Sequence, residues 1–326
     1  MKIGLHAFSF VLAAGLRDYQ PVGRGALAAS DMVEKAARLR CPAVQLGIKQ
    51  VKEMDMVGLV NLGQQAKDLG VTLHLSTSTL QGEHLADMIR KAQYLGAPQV
   101  TVGISRLKGT VQQRQHLLEG LLRELDVAIK TAEKYKIVLA FENGRHTAAA
   151  DLAAFIQAAQ SEYVGVCFDA GNALTVPENP ADSANILGPL ARSAHLKNWQ
   201  VYRSLEGAML VNCPVADGVI DLVDVLRVLK GHKPELLLFL QTAAERVPVP
   251  VLEDQFLREY PRITARSLAG LLRQGTLVYT PEELQFPHES KAPEKDVLKW
   301  EDDRLKRSLK QAQKLLGTES LTLSLG

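Results

Sequence analysis

Residues 164–172 read VGVCFDAGN, an apolar run that finishes on Asp169 and is followed by turn-forming residues. Three further runs have the same form and reach a polar side chain at their carboxyl end: IVLAFEN (137–143) with Glu142, ARSAHLKN (191–198) with His195, and LLLFLQT (236–242) with Gln241. Near-continuous apolar runs are typical of parallel strands buried on both faces. In a (β/α)8 barrel the carboxyl ends of such strands meet at one rim, where reactive groups gather. The pattern therefore predicts that these four side chains share a site.

Runs of this kind recur along the chain with helical segments between them. The eight predicted strands are residues 2–8, 43–48, 71–76, 99–104, 137–142, 164–169, 192–197 and 236–241. Intervening stretches such as DMVEKAARLR and LADMIRKAQYLG have the spacing of amphipathic helices. A doubly wound open sheet is the competing α/β architecture, but no GxGxxG or P-loop lysine motif follows the first strand. The sequence predicts a (β/α)8 TIM barrel over residues 1–272.

Residues 273–326 differ in character from the predicted barrel. EDQFLREYPRITARSLAGLLRQG, at 253–275, is typical of the closing helix of the barrel, with Pro261 starting or kinking it. Proline-punctuated and then strongly charged sequence follows, and it predicts a C-terminal helical extension. The charged run KWEDDRLKRSLKQAQK is most simply a solvated helix face. The extension is expected either to be solvated or to pack against another subunit of a homo-oligomer.

Composition restricts the class of partner and the cellular compartment. The 326 residues are 46% hydrophobic and carry a formal net charge of +2, so no strong field favours nucleic acid or an anionic membrane. No apolar run approaches the length of about 20 residues that a spanning helix needs. Three scattered cysteines do not form a disulfide framework, which favours the cytoplasm. The opening KIGLHAFSFVLAAGL is interpreted as the first strand rather than a signal peptide, because His6 and Ser9 interrupt it.

The predicted rim residues suit a divalent metal ion. Carboxylate and amide oxygens with one imidazole favour Mn²⁺, Mg²⁺, Co²⁺ or Zn²⁺ over copper or an iron–sulfur cluster. Such an ion can polarise a carbonyl next to which a proton is transferred. Glu142 is expected to be both a ligand and the proton-transfer group, and Lys197 is a second catalytic candidate.

Three short motifs at these strand ends resemble a known family. FENG at 141–144, FDAGN at 168–172 and HLKNW at 195–199 are similar to the motifs of the xylose isomerase-like barrels, which include sugar phosphate isomerases and epimerases. The resemblance covers roughly residues 1–272 and implies a carbohydrate substrate and one divalent cation. At the matching positions it implies a ligand set of Glu142, Asp169, His195 and Gln241.

Several positions depart from the family pattern. The fourth ligand is normally a glutamate, which in the ketose 3-epimerases is also the second proton-transfer base, and here it is Gln241. An amide oxygen can bind a metal ion, but it cannot accept a proton as a carboxylate does. The strand-two glutamate appears as Gln45, a frequent histidine as Asn172, and the HxKD aspartate as Asn198. These changes disfavour two-base epimerisation and predict weaker metal binding.

Further side chains near the predicted rim are candidates for substrate binding: His6, Gln45, His74, Asn172, Trp199 and Arg246. The metal-ligand and catalytic candidates, and several of these residues, also have a structural interpretation. Glu142 can pair with Arg145, Asp169 can shape a turn, His195 and Gln241 can be satisfied core residues, and Lys197 can pair with either carboxylate. Trp199 can be packing, and Arg246 can form a surface ion pair with Glu245.

The sequence thus predicts a metal-dependent isomerase, epimerase or related lyase that acts on a small carbohydrate or keto-sugar. A degenerate barrel that binds a sugar or a partner subunit without turnover is the main alternative, because amides replace carboxylates at 45, 198 and 241. A phosphoesterase that cuts DNA at abasic sites shares the architecture. It is disfavoured because such enzymes need a histidine-rich zinc cluster and a cationic groove.

Overall fold

The computed structural model describes residues 1–16, 19–23, 25–104, 110–261, 263–275 and 284–323, with no side-chain description for 111 and 318–323. Its strands in chain order are β1 Lys2–His6, β2 Ala43–Gly47, β3 Thr72–Thr77, β4 Gln99–Ile104, β5 Val138–Asn143, β6 Val164–Asp169, β7 Ala191–Leu196, β8 Asn198–Ser204, β9 Gly207–Cys213, β10 Leu237–Leu240 and β11 Arg246–Val249. Parallel pairing in the order β1-β10-β7-β6-β5-β4-β3-β2 closes a barrel. Each of the eight predicted strands matches a barrel strand to within two residues, which confirms the TIM barrel.

Most of the helices lie between the strands and pack around the barrel, and the last three in the described part of the chain follow β11. In chain order the helices are α1 Ala29–Arg38, α2 Ile48–Val51, α3 Met56–Asp68, α4 Gly82–Leu95, α5 Val111–Tyr135, α6 Ala149–Ala158, α7 Pro180–Leu187, α8 Leu222–His232, α9 Asp254–Glu259, α10 Ala265–Gln274 and α11 Glu294–Leu323. Local chemistry sets several of their ends. Thr110 and Gln113 form a capping box at the start of α5, and Gly96 ends α4 in the left-handed conformation.

The register of the barrel determines which side chains face its interior. Asp169 is aligned with His195, and His195 with Phe239 on the neighbouring strand. Aligned residues face the same side of a sheet and alternate residues along a strand face opposite sides. Gln241, two residues beyond Phe239, therefore lies on the interior side at the carboxyl rim. His6 is aligned with Gln45 and completes this side of the rim.

The sequence patterns did not predict a small antiparallel sheet, in which β8 and β9 follow the seventh barrel strand and β11 follows the eighth. Its central strand β9 pairs with β8 from Asn198↔Cys213 to Ser204↔Gly207 and with β11 from Arg246↔Val211 onward. Val201 on β8 and Leu210 on β9 are aligned with each other and are both buried. The insertion places a hairpin directly after Lys197 at the rim.

Two expectations for the C-terminal part are corrected. The predicted closing helix is two helices, α9 and α10, separated around Pro261, where the ring removes an amide donor. The charged run is not a wholly solvated helix face, since one face of α11 is buried against the same chain through Val297, Glu301, Leu305, Ser308, Leu309 and Ala312. The predicted boundary at 272 falls in the last turn of α10. Association through the extension stays a prediction.

None of the helices in the described part of the chain has the length and apolarity to cross a membrane.

Candidate metal and catalytic site

Three of the four predicted ligands meet at the carboxyl rim. One ligand atom from each of Glu142, Asp169 and His195 lies within 4.8 Å of the others. The Nδ1 of His195 is 3.5 Å from both Glu142 Oε1 and Asp169 Oδ2. Asp169 and His195 are fully buried, whereas the Glu142 side chain retains 19% exposure. We call these three residues the triad.

Asp169 is fixed by hydrogen bonds to its own strand end and to the neighbouring strand. Its Oδ1 accepts from the backbone amides of Gly171 at 2.8 Å and Asn172 at 3.1 Å, which is the turn-shaping role that the sequence allowed. Asn143 binds its backbone, donating to the carbonyl at 2.9 Å and accepting from the amide at 2.6 Å. With Oδ1 held in this way, Oδ2 faces His195 and Lys197. Turn and ligand roles are therefore compatible in one residue.

His195 is oriented by Gln45 on the opposite side of the ring. Its Nε2 is 2.8 Å from Gln45 Oε1, so a proton on Nε2 leaves Nδ1 to face the two carboxylates. Burial lowers the pKa of His195, but interactions with Cys167, Glu142 and Asp169 outweigh it and raise the pKa well above its ordinary value. This corner of the barrel therefore favours a positive charge, either a proton on His195 or a bound cation.

Lys197 and Asn172 connect the two carboxylates of the triad. Lys197 Nζ is 2.9 Å from Asp169 Oδ2 and donates to Asn172 Oδ1 at 2.9 Å. Asn172 in turn donates to Glu142 Oε1 at 2.9 Å. Burial alone would raise the pKa of Asp169, but Lys197 and His195 hold it below its ordinary value, so the carboxylate is charged. Lys197 does pair with Asp169, as the structural interpretation of the sequence allowed.

Gln241 follows β10 on the interior side of the rim. Its backbone amide donates to Leu196 O at 3.0 Å, which places it beside the strand that carries His195. Its Oε1 is buried and accepts no hydrogen bond from the described residues. A buried acceptor of this kind is costly unless it receives a partner, so Gln241 fits the fourth ligand position. Its coordination stays a prediction.

The donor set as a whole fits a divalent cation. Oxygen and nitrogen ligands lie about 2.0–2.2 Å from an ion such as Zn²⁺, so ligand atoms around one ion stand roughly 3–3.5 Å apart. The 3.5 Å separations from His195 Nδ1 match that spacing, and the distances are too long for hydrogen bonds of normal strength. The buried Oε1 of Gln241 would add a fourth donor atom, which is the third oxygen of the set. The donor types do not select among Mn²⁺, Mg²⁺, Co²⁺ and Zn²⁺.

The remaining predicted substrate residues have different surroundings. His6 stacks edge-on against His195 at 4.8 Å between ring centroids, and its Nδ1 accepts from Phe8 N at 2.8 Å. His74 contacts Phe239 inside the barrel, and burial lowers the pKa of its imidazole to about 4, which keeps it neutral. Both lie on the interior side of the barrel, and their substrate contacts stay predictions.

Trp199 and Arg246 lie away from the open part of the rim. Trp199 is fully buried, donates its indole N–H to Gly171 O at 2.9 Å and lies beneath Lys197, whose Nζ is 5.2 Å from the ring centroid. Arg246 pairs with Glu289 of the extension rather than with Glu245. Substrate contact by these two residues stays a prediction that no described contact supports.

An ion pair across the rim was not anticipated from the sequence. Arg145, in the loop after β5, pairs with Glu245, in the loop after β10. The Glu245 side chain is 3% exposed, whereas that of Arg145 is 35% exposed. Arg145 lies close enough to Lys197 for its charge to contribute to lowering the lysine pKa, after the larger effect of burial. The one sequence feature that pointed to a role for Arg145 at the rim was its position three residues beyond Glu142.

Gly144, between Glu142 and Arg145, is required by a close approach of two backbones. A Cβ at this position would lie 1.9 Å from the carbonyl oxygen of Ile104 on β4. Only glycine avoids that overlap, which explains the glycine of the FENG motif. The glycine lets the loop turn sharply, so that Glu142 and Arg145 both reach the rim.

Comparisons with known proteins support the fold and show the family. Residues 33–260 match the model of a family described as xylose isomerase-like TIM barrel. A 3-oxo-isoapionate decarboxylase from Pectobacterium atrosepticum is 26% identical over 226 residues, which cover 68% of this chain and 78% of the relative.

Solved structures resemble the chain in fold. An L-ribulose 3-epimerase superposes with a TM-score of 0.62 at 14% identity, covering 99% of this chain and 97% of the other. A D-psicose 3-epimerase from Clostridium cellulolyticum H10, solved with D-tagatose, gives a TM-score of 0.58 at 12% identity, covering 84% and 96%.

Proposed function

We propose that this protein, which belongs to the xylose isomerase-like TIM barrel family, is a metal-dependent lyase that removes the carboxylate group from a small 3-oxo sugar acid. The observation that carries the proposal is Gln241, an amide at the position where an epimerase needs a second carboxylate base. The similarity to a 3-oxo-isoapionate decarboxylase supports the same reaction class.

Decarboxylation of a 3-oxo acid does not require a base that removes a C–H proton. The bond between the α-carbon and the carboxylate breaks, CO₂ leaves, and the bonding electrons pass to the neighbouring ketone to give an enolate. One proton then adds to the α-carbon. A site for this reaction needs positive charge near the ketone oxygen and one proton donor near the carbon. A single acid therefore replaces the acid and base of an epimerase.

Lys197 is the proposed proton donor. Its ammonium group is held at one side of the triad by Asp169 and Asn172, both at 2.9 Å, and by the ring of Trp199 below it. The contacts with Asp169 and Asn172 take up two of the three N–H bonds, so the third is available to the substrate. Glu142, kept in place by Asn172, is partly exposed and is proposed to accept hydrogen bonds from substrate hydroxyls.

The charges around the rim favour an acidic substrate. Three carboxylates, Glu142, Asp169 and Glu245, stand with two cations, Lys197 and Arg145. A divalent ion held by Glu142, Asp169, His195 and Gln241 would leave these groups with one net positive charge and would supply the charge that stabilises the developing enolate oxygen. The carboxylate of the substrate would neutralise that charge, and the partly exposed guanidinium of Arg145 is the proposed point of contact.

The test is a direct assay of CO₂ release. The purified protein, supplied with Mn²⁺, is incubated with 3-oxo-isoapionate in D₂O. We expect CO₂ and a ketose that carries one solvent deuterium at the carbon that lost the carboxylate. Metal binding without CO₂ release across a panel of 3-oxo sugar acids would contradict the proposal.

A sugar isomerase or epimerase is the second candidate, and the specific observation that favours it is Glu142. Its carboxylate is partly exposed beside Lys197, so one base and one acid are available to move a proton next to a carbonyl. Deuterium exchange into members of a panel of ketoses, with no CO₂ release from any of the 3-oxo sugar acids, would favour this candidate. Saturable sugar binding with neither reaction would favour the degenerate barrel.

A further inference from the structure

Helix α11 contacts the loops that follow the carboxyl ends of the barrel strands. Glu301 accepts hydrogen bonds from the amides of Leu12 at 2.8 Å and Ala13 at 3.1 Å, after β1. Arg304, one helical turn later, binds the carbonyl of Thr242, after β10, and both the carbonyl and the side-chain oxygen of Asn212, in β9. The extension therefore packs on the same rim as the triad.

Arg304 binds the residue that directly follows Gln241. Its Nε donates to Thr242 O at 3.2 Å. The amide of Thr242 donates to Ser9 Oγ at 3.2 Å, and the amide of Gln241 donates to Leu196 O at 3.0 Å. The backbone at 241–242 is thus held by β7 on one side, the segment after β1 on another and α11 on the third.

The guanidinium is a strong restraint because it is half-buried and charged, and because it binds oxygens of the buried residues Thr242 and Asn212. Burial lowers the pKa of Arg304 to about 10, so the group is still cationic at neutral pH. Hydrogen bonds from a charged donor are stronger than neutral ones, and removal of the donor leaves buried carbonyl oxygens without a partner. Loss of Arg304 would therefore remove one of the three restraints on the backbone beside Gln241.

We propose that Arg304 is a positioning residue for Gln241. Through Arg304, the C-terminal extension contributes to the metal site. This inference rests on the proposed metal site. A neutral amide ligand has no net charge to attract the ion from a distance, so its contribution depends on its orientation. Arg304 supplies that orientation by fixing the carbonyl of Thr242.

A double-mutant cycle measured by Mn²⁺ titration calorimetry tests the inference, with the metal ion alone as ligand. Arg304→Gln is made in the natural protein and in a Gln241→Ala background. We expect the substitution to weaken Mn²⁺ affinity about tenfold in the natural background. In the Gln241→Ala background we expect a change of less than about twofold, because the residue through which Arg304 acts has gone.

Arg307→Gln is the matched control, since Arg307 lies on the same helix, is 62% exposed and pairs with Asp217. It should change Mn²⁺ affinity in neither background. If Arg304→Gln does not fold, as judged by thermal unfolding, Arg304→Lys enters the same cycle.

Three results would overturn the inference. An equal loss of affinity in both backgrounds would mean that Arg304 acts on overall stability, and an unchanged affinity in the natural background would mean that it has no role in binding. Absence of Mn²⁺ binding by the unsubstituted protein would overturn the metal site itself, and that titration, made first, separates the two failures.

Discussion

The two sides of the rim are built differently. On the β5–β7 side, charged groups from consecutive strands hold one another, as Asp169 does with Lys197. On the β10–β1 side the ligand candidate is a neutral amide, Gln241, and a helix from a distant part of the chain restrains the backbone beside it. In the proposed metal site, the charged β5–β7 side would provide most of the attraction for the ion. The neutral β10–β1 side would adjust the coordination of the ion.

The largest effect is expected from breaking the charged side at Asp169. Asp169→Asn removes one of the two proposed anionic ligands and leaves Lys197 buried beside an uncharged partner. We expect Mn²⁺ affinity to fall at least about 100-fold, and the free energy of unfolding to fall by about 3 kcal/mol. Calorimetric titration and chemical denaturation measure the two effects. Asp87→Asn, on the exposed surface of α4, is the control, and an equal loss there would contradict the assignment.

A second substitution separates binding from chemistry on the same side. Lys197→Gln keeps a hydrogen-bonding group near Asn172 but removes the ammonium proton donor. We expect kcat for CO₂ release to fall by about 100-fold or more. Mn²⁺ affinity should not weaken, because the site has lost a cation that competes for Asp169. A parallel fall in affinity and rate would show that Lys197 acts only by supporting the triad.

Placing a carboxylate on the neutral side of the rim tests whether charge accounts for the difference between the two sides. Gln241→Glu adds a third carboxylate to the ligand set, and we expect Mn²⁺ affinity to rise about tenfold because affinity for a hard cation increases with ligand charge. The variant should also gain deuterium exchange into ketoses, since a second proton acceptor is then present. Gln200→Glu, at an exposed position of β8, provides the control. An unchanged affinity in Gln241→Glu would mean that residue 241 is not a ligand.

The last prediction concerns stability alone and tests the contact between the extension and the segment after β1. Burial raises the pKa of Glu301 to about 7, although the amides of Leu12 and Ala13 and the charge of Lys35 act in the opposite direction. The folded state therefore holds this proton more tightly than the unfolded chain, where the pKa is near its ordinary value of 4.5. The stabilising contribution is complete below about pH 4.5 and is lost as pH rises to about 7.

Glu301→Gln should remove this part of the pH dependence. Between about pH 5 and pH 8 the natural protein should lose on the order of 2 kcal/mol of stability relative to the variant. Chemical denaturation at a series of pH values gives the free energy of unfolding against pH for both proteins, and the slopes are compared. The loss of the carboxylate hydrogen bonds shifts the curve of the variant by a constant and does not change its slope. Parallel profiles for the two proteins would contradict the assignment.

The barrel and the triad were predictable because both depend on local patterns. Near-continuous apolar runs mark the interior strands, and each run that ends on a polar residue places that residue at the rim. The register then brings Asp169 beside His195 without further information. For Gln241 the sequence predicted the location at the rim but not the role, because the role of an amide depends on contacts from distant segments.

The hairpin and the packing of α11 were not predicted, for identifiable reasons. β8 and β9 are inserted between a strand and its helix, so they interrupt the regular alternation on which the prediction relied. In α11 the buried residues recur at helical spacing, but Glu301 and Arg304 interrupt the apolar stripe. Buried charges that bind backbone groups of distant loops are indistinguishable in sequence from solvated ones.

The hydrogen bond between Glu301 and Leu12 joins residues 289 positions apart, which has a consequence for biosynthesis. A ribosome makes all eight barrel strands, including β10 at Leu237–Leu240, before it reaches Glu301. While the chain is still growing, the segment after β1 and the loop after β10 have no helix to hold them. The rim therefore gains its full set of contacts only when this late helix docks, so a chain stalled after β10 would lack the contacts of Glu301 and Arg304 with the loops.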